Sequence, residues 1–400
     1  MAPKRKTSSA TISSFYQLHG SSASKRRLLL EEEEDEEARE HSSSQLRSMS
    51  NTNQVPVGHS TTPSLEYITT NLSNLQAPFP LSKTSTPVTP ESTHNIVPPP
   101  PQAKPPPGRP QTYLILGASR GIGLEFARQL LQLKHQVIAV VRDPSTASQL
   151  WQVTGNLMSR PGSCIIEQCD VGSSSDIAQF VSRMRLFVER GGNIDSIILN
   201  AGILDYEKGL GALNVEFDML ERHLRVNCIG NVVLARKLLM LNHLPAVQQR
   251  REQEQALDSS DYVLVGRQVV FMSSDSGSMA DFREYEDGFA AYGASKVALN
   301  MMIRHMAAEL KRRAKNKEEE AKIDWQSRGR TIEAWEDEVC VLAMHPGEVS
   351  TDMANVELGW EVEGVITAEQ SVRAMLAVLH DKKSSHSGTF WRWDGTQHPW

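Results

Sequence analysis

The sequence predicts a single doubly wound α/β domain, with a parallel sheet covered on both faces and a disordered arm ahead of it. Three observations predict this. From Thr112 onward, apolar runs of strand length alternate with stretches of helical periodicity, as βαβ units require. The first run, Tyr113-Leu114-Ile115-Leu116, closes on a glycine-rich turn that leads into a helix. Composition changes near residue 110: of the 20 prolines, 15 lie before residue 111, whereas all 7 tryptophans lie after residue 150.

The elements follow in order. Residues 113–116 read as a buried strand and 122–133 as a helix. Residues 137–141 and 164–166 read as the next strands, because short apolar runs with β-branched residues suit a fully covered sheet. Residues 176–188 form an amphipathic helix, followed by a strand at 196–199 and a long helical stretch at 220–241. A strand at 269–272, a helix at 292–310, a strand at 339–344, a helix at 369–379 and a short strand at 389–393 complete the pattern. Two charged, polar stretches, 248–261 and 311–338, interrupt it. They read as insertions at the surface, away from the cleft.

Residues 1–110 are rich in Ser, Thr, Pro and Gln. They cannot bury enough apolar surface to offset the entropy of ordering, and read as disordered. Residues 111–400 suit one domain. The arm carries Lys4-Arg5-Lys6, Lys25-Arg26-Arg27, an acidic run over 31–37 and two proline runs that suit a stiff spacer. Its basic clusters fit a nuclear import signal, and solvation of a disordered arm is the plainer account. An unidentified protein partner for the arm is a further expectation.

The net charge of −6 gives no support for nucleic-acid binding through a broad basic face. The four cysteines, Cys164, Cys169, Cys228 and Cys340, show no metal-ligand spacing. With no secretory signal, they read as reduced thiols in a cytoplasmic or nuclear setting. No apolar run reaches the roughly 20 residues of a membrane span. No metal site is expected, and His345 beside Pro346 reads as structural.

The chemistry concentrates in a few places. Tyr292-Gly293-Ala294-Ser295-Lys296 puts a phenol and an amine four residues apart on one helix face. A cation beside a phenol favours the phenolate, which would bring a group that titrates near ~10 toward neutral pH. Gly117-Ala118-Ser119-Arg120-Gly121-Ile122-Gly123 lies between strand and helix, where glycines let the backbone approach a phosphate and the helix start offers free amides. At the end of the second strand, Val141 stands where an acidic residue would bind a ribose 2′-OH. Arg142 follows it, and Arg120 sits in the turn. Two guanidiniums there suit a 2′-phosphate, so NADP(H) is preferred over NAD(H). Asp143 is the alternative, either pairing with Arg142 or offering its own carboxylate to a ribose.

With these residues in place, residues 112–400 resemble the short-chain dehydrogenase/reductase superfamily, a Rossmann-type fold. Five segments match in order: Gly117 to Gly123, Asn200-Ala201-Gly202, Asn227, Ser274, and Tyr292 with Lys296. The segments His345-Pro346-Gly347-Glu348-Val349-Ser350-Thr351-Asp352-Met353 and Trp393-Asp394-Gly395-Thr396-Gln397-His398-Pro399-Trp400 are similar to the C-factor-like and Sniffer-like carbonyl reductases. The resemblance implies that Tyr292 acts as general acid/base and that Lys296 lowers its pKa and holds the nicotinamide ribose. It implies that Ser274 hydrogen-bonds the carbonyl, with Ser273 as its rival, and that Asn227 helps hold a relay water. Asp170 and Val171 would contact the adenine, and Asn200, Ala201 and Gly202 would pack under its ribose. Pro346, Gly347, Val349 and Thr351 would place the nicotinamide carboxamide. Singly, Asp170 also reads as a helix cap, Asn200 as a turn residue and Pro346-Gly347 as a loop breaker.

Ser274 and Tyr292 stand further apart than in most relatives, which implies a longer loop around 282–288 at the mouth of the site. Residues 352–366 read as a mobile substrate lid with an apolar inner side. The expected activity is NADP(H)-dependent interconversion of a carbonyl and an alcohol on a small, partly apolar substrate. Relatives often pair through the helices at 220–241 and 292–310, so a homodimer is one expectation. Two other readings stay open: a catalytically weak NADP(H)-sensing regulatory protein acting through the arm, and a dehydratase or epimerase on the same fold.

Overall fold

Aliphatic and β-branched side chains fill both faces of a pleated surface, and seven such runs here pair side by side. The structure is a computed structural model and describes residues 110–155, 164–207, 210–256, 263–328, 335–356, 358 and 360–400. The expectations placed on residues 1–109, namely the disordered arm, its charged clusters and its proline runs, lie outside the described residues.

The chain runs β1 (Thr112–Leu116), α1 (Gly121–Gln132), β2 (Gln136–Val141), α2 (Ser148–Gly155), β3 (Cys164–Gln168), α3 (Ser174–Glu189) and β4 (Ser196–Leu199). It continues through α4 (Phe217–His223), a π-helical stretch (Leu224–Gly230), α5 (Asn231–Leu239), α6 (Pro245–Ala256), β5 (Gln268–Met272) and α7 (Ala290–Arg328). It closes with β6 (Cys340–His345), β7 (Val349–Ser350), β8 (Ile366–Thr367), α8 (Ala368–His380) and β9 (Thr389–Arg392).

The seven-stranded sheet has the order β3-β2-β1-β4-β5-β6-β9, and every neighbouring pair is parallel. Successive side chains alternate between its faces. Leu114, Leu116, Ile197, Leu199, Val269 and Phe271 pack with Phe180 of α3, Leu234 of α5 and Ile303 of α7. Ile115, Ile198, Val270 and Leu342 pack with Phe126 of α1 and Met375 of α8. The strand order reverses between β1 and β4. In such sheets a ligand crevice opens beyond the carboxyl ends of the strands at that point.

Three features depart from the sequence reading. Helix α2 and the small β7–β8 pair were not expected. The charged stretches are not wholly surface insertions. Most of the first belongs to α6, where Arg251 is buried and pairs with Glu338. The second prolongs α7, where Ala314 is buried, and reaches Trp335 and Glu336, both buried as well. Pairs such as Glu309–Arg313 support the exposed face of the long helix. Lys317 Nζ reaches Glu336 Oε1 at 2.7 Å and the Trp335 ring at 5.9 Å. A few inward apolar residues decide the packing, and a count of charges does not register them. The described parts of both stretches do lie away from the crevice, because α6 precedes the amino end of β5 and Trp335 to Glu338 lead into the amino end of β6. Among the described residues, no helix is long and apolar enough to cross a membrane.

Candidate active site

The crevice begins where β1 ends. Gly117 turns the chain with φ +83°, and a Cβ there would lie 2.9 Å from the Ala201 backbone. At Gly123 a Cβ would lie 2.1 Å from the Gly117 carbonyl oxygen. Only glycine lets the turn, α1 and the end of β4 approach so closely. Asn200 secures the contact, its Nδ2 donating to Gly117 O at 3.1 Å, so its turn role is real and specific. Ser119 and Ile122 stay partly open on this turn. Helix α1 starts after Arg120 with no side-chain cap, which leaves the amides of its first turn to an anion. This donor set fits a dinucleotide pyrophosphate. Gly121 faces Thr351, whose methyl would lie 3.5 Å from a Cβ at that position.

At the end of β2, Val141 is buried and Arg142 is exposed. The Asp143 carboxylate accepts from Ser145 N at 2.9 Å and Ser145 Oγ at 2.6 Å, and these bonds hold its pKa below the usual range. It caps the short turn at Pro144–Thr146. Arg120 pairs with Asp352 at 3.5 Å, with both side chains largely exposed. Beyond β3, Asp170 Oδ1 accepts from Gly172 N at 2.8 Å, and Val171 is buried. The cap of α3 is Ser173, so the helix-cap alternative for Asp170 does not hold.

Asn227 lies in the π-helical stretch and is fully buried. Its Oδ1 accepts from Ile203 N at 2.7 Å, and its Nδ2 donates to Ile203 O at 2.9 Å and to Ser295 Oγ at 3.0 Å. One residue explains the widened turn. The Asn231 side-chain amide enters the helix ladder, donating to Val226 O at 2.8 Å, Asn227 O at 3.3 Å and Ala201 O at 3.0 Å. Asn231 thereby ties this helix to the loop of Ala201 and Gly202.

The two serines after β5 point to different places. Ser273 Oγ donates to Asn300 Oδ1 at 2.6 Å, inside the fold. Ser274 Oγ donates to Asp275 Oδ1 at 3.0 Å and stands near enough to the Tyr292 hydroxyl to act on its pKa. Helix α7 carries Tyr292 and Lys296 one turn apart. Lys296 Nζ lies 5.5 Å from the centre of the Tyr292 ring and donates to Met272 O at 2.9 Å. The amine is buried, and burial lowers its pKa to about 8. Tyr292 does not follow the expected acidification. Burial pushes its phenol above the ordinary value, Ser274 opposes this, and Asp275, Glu348 and Glu286 add to it. The protein alone holds the phenol protonated.

The segment after β6 completes the crevice. Pro346 O accepts from Ser371 Oγ at 2.6 Å, Gly347 packs on the Trp393 ring, and Val349 is buried in β7. The 352–366 stretch is anchored at both ends, because β7 pairs with β8. Trp360 from this stretch packs 5.6 Å from Phe289, which stands 5.9 Å from Tyr292 and 5.6 Å from Tyr206, ring centre to ring centre. The longer loop expected around 282–288 is present, with Phe282 and Tyr285 exposed on it. Asp275, His345 and Glu348 bring candidate metal-ligand atoms within 4.8 Å of one another, but Arg283 pairs with both carboxylates.

All five sequence motifs thus converge beyond the carboxyl ends of β1, β4 and β5. Sequence reasoning missed Asn231, Ser295, Asn300, Asp275 and Arg283. Asn231 stands four residues after Asn227 on one helix, a spacing that could have flagged it. The others carry no local signal.

Comparison with known proteins agrees with this geometry. Residues 111–249 match the family model described as short chain dehydrogenase. An uncharacterised oxidoreductase of Schizosaccharomyces pombe is 26% identical over 299 residues, covering 72% of this chain and 96% of the relative. The C-signal protein of Myxococcus xanthus is 29% identical over 209 residues, 52% of this chain and 94% of that one. The crystal structure of NADPH-bound carbonyl reductase from chicken fatty liver superposes with a TM-score of 0.54 at 26% identity, over 73% of this chain and 100% of that one. The family-model match and these relatives support a short-chain dehydrogenase/reductase of the C-factor-like and Sniffer-like branch.

Proposed function

We propose that this protein catalyses the NADP(H)-dependent interconversion of a carbonyl and an alcohol on a small, partly apolar substrate, and that reduction is the favoured direction. One observation carries the reading: the buried Lys296 amine lies 5.5 Å from the centre of the Tyr292 ring, and the Ser274 hydroxyl stands near enough to the phenol to act on its pKa. Reduction of a carbonyl needs a donor for its oxygen, and a phenol held protonated is one. Ser274 supplies a second hydrogen bond to that oxygen as charge develops on it. Lys296 stabilises the tyrosinate left behind, and Asn227 keeps the surrounding loop fixed and offers a polar site for a relay water. The bound nicotinamide supplies the hydride.

The cofactor preference rests on the β2 edge. Arg142 is exposed there, and Asp143 is occupied by Ser145. A guanidinium whose neighbouring carboxylate already accepts two hydrogen bonds suits a 2′-phosphate. Gly117, Ser119, Gly121, Ile122 and Gly123 would hold the pyrophosphate. Asp170, Val171, Asn200, Ala201 and Gly202 would hold the adenosine half, and Pro346, Gly347, Val349 and Thr351 the nicotinamide. The rings of Phe289, Trp360 and Tyr206 support apolar bulk in the substrate. The four cysteines are free thiols, which suits the cytoplasm. Exposed Ile229, Met301 and Met302 on the π-helical stretch and α7 suit a homodimer.

The test is NADPH oxidation against a panel of ketones and aldehydes, with NADH alongside. Tyr292→Phe is expected to lose roughly a thousandfold in kcat while NADPH still quenches its tryptophan fluorescence. Tight NADPH binding without turnover in either protein would favour the sensor reading.

A further inference from the structure

The charges around the catalytic tyrosine form one connected group. Asp275 follows Ser274 and is buried. Its carboxylate pairs with Arg283 and lies 3.3 Å from His345 Nε2. It also accepts from Ser274 Oγ at 3.0 Å and Ser276 N at 2.9 Å. Arg283 comes from the long loop at the mouth. Its guanidinium also reaches Glu286 Oε1 at 3.0 Å, on the same loop, and Glu348 Oε1 at 3.4 Å, on the segment after β6. Glu286 in turn accepts from Ser276 Oγ at 3.2 Å. Three carboxylates on three segments therefore share one planar cation, a task for which the multiple donors of arginine are suited.

These carboxylates also bear on the reaction. After burial, Asp275, Glu348 and Glu286 are the groups that push the Tyr292 phenol upward. Burial works to raise Asp275 itself, but the Arg283 charge and the hydrogen bonds from Ser274 and Ser276 hold it ionised. Burial keeps His345 neutral, with Asp275 opposing and Arg392, His398 and Arg283 adding to it. Glu286 and Glu348 are raised by burial, and Arg283 opposes this in both. The charged and titratable groups facing Arg283 are thus Asp275, Glu286, Glu348 and Tyr285.

We propose that Arg283 is a positioning residue of this site. By bridging Asp275, Glu286 and Glu348 it locks the mouth loop to the turn of Ser274 and to the segment that carries Pro346 to Thr351. Its effect on turnover rests on the reductase reading; its effect on the two loops does not. Without Arg283, the buried Asp275 has one other partner able to carry positive charge, His345. Arg283 is one of the charges that hold this histidine down, so without it His345, already beside Asp275, would take a proton more readily. The pairing would be complete at low pH and lost as pH rises through the new histidine value. Above that value Asp275 is left buried without a cation, and the Ser274 turn loosens.

The experiment compares full-length wild type, Arg283→Met, Arg283→Lys and the double variant Arg283→Met/His345→Gln. Hydrogen–deuterium exchange reads the clamp without any need for turnover. In Arg283→Met, peptides over 278–289 and 346–351 are expected to exchange roughly tenfold faster, while strands β1 and β4 keep wild-type protection. Arg283→Lys keeps the charge without the fork and is expected to recover part of this protection. The pH profile of kcat/KM reads the coupling. Arg283→Met is expected to lose about tenfold at pH 8, to recover part of that loss toward pH 6, and to lose the recovery in the double variant. Unchanged exchange in both loops, or an equal rise across the whole domain, would overturn the clamp. A pH-independent defect in Arg283→Met would overturn the histidine exchange. Wild type without turnover on any carbonyl sinks the reductase reading alone, and exchange still decides the clamp.

Discussion

Two tyrosines stand at opposite edges of the same sheet, and the proposed function assigns chemistry to one of them. Tyr292 lies beyond the carboxyl ends, with Ser274 nearby and Lys296 behind its ring. Tyr113 lies near the amino ends, where a cavity of about 710 Å³ opens among Tyr113, His135, Asp195, Gln268, His380 and Lys382. Its hydroxyl donates to Gln111 Oε1 at 2.8 Å, and burial together with Asp195 pushes it up to about 12. The cavity's other polar groups are turned to structural use. Asp195 Oδ2 accepts from Thr112 N at 2.8 Å, His135 Nδ1 accepts from Gln111 N at 3.2 Å, and Gln268 Nε2 donates to Leu379 O at 2.8 Å. This cavity lies at one edge and the proposed chemistry at the other. What marks a reactive site is the convergence of groups whose bonding is incomplete until a ligand arrives, and volume alone does not supply it.

Lys296 offers the largest test of this contrast beyond the tyrosine itself. Lys296→Met removes the one cation behind the phenol and is expected to cost about a hundredfold in kcat. Wild-type activity should also have an alkaline limb. The amine titrates near 8, so its charge, and with it the stabilisation of tyrosinate, falls away above that pH. The sign for stability is the opposite: a lysine depressed by burial costs least when neutral, so folding stability contributed by this group rises between about pH 8 and the free lysine value near ~10.4. Rate and thermal stability measured on the same samples from pH 6.5 to 10 should diverge. If they fall together, loss of fold accounts for the limb.

How far the comparison was visible in the sequence differs between the two edges. The strands and the segments proposed as catalytic were legible because they are local. An apolar run, a glycine turn or a Tyr-Lys pair at one helical turn is written in neighbouring residues. The choice of Ser274 over Ser273 was not, because it depends on Asn300, which reaches back from α7 to take the Ser273 hydroxyl. The occupation of Asp143 by Ser145 was local but ambiguous, since a free carboxylate and a turn cap look alike in one dimension. Arg283 was hidden for the strongest reason. Its partners come from three segments, and on the chain it is one charged residue in a polar loop. The long α7 extension was misread for the opposite reason, because its charges are plain and its inward Ala314 is not.

Asn227→Ala sharpens the contrast at a smaller scale. Its side chain saturates both backbone groups of Ile203, so truncation leaves a buried donor and a buried acceptor without partners. Loss of stability of about 2–4 kcal/mol is expected, read by urea denaturation. The loop after β4 and the π-helical stretch also loosen, so kcat should fall about tenfold with a smaller change in KM. Asn227→Asp, which retains the acceptor for Ile203 N but not the donor to Ile203 O, should lie between. A kcat loss of the same size in Asn227→Asp and Asn227→Ala would assign the effect to the lost amide alone.

The smallest effect belongs to the amino edge, and it is the one that could break the comparison. Lys382 Nζ sits 3.1 Å from the centre of the Trp391 ring, the most concentrated cation contact bordering that cavity. If the cavity is architectural, Lys382→Ala removes only that contact, worth about 0.5–2 kcal/mol of stability, and leaves kcat and KM within about twofold. The reason is geometric: Trp391 lies on β9, and its strand transmits no charge to Ser274, Tyr292 or Lys296. A Lys382→Ala enzyme with normal melting behaviour and a tenfold loss of kcat/KM would mean that the amino edge takes part in the reaction, and that the division of labour between the two edges is wrong.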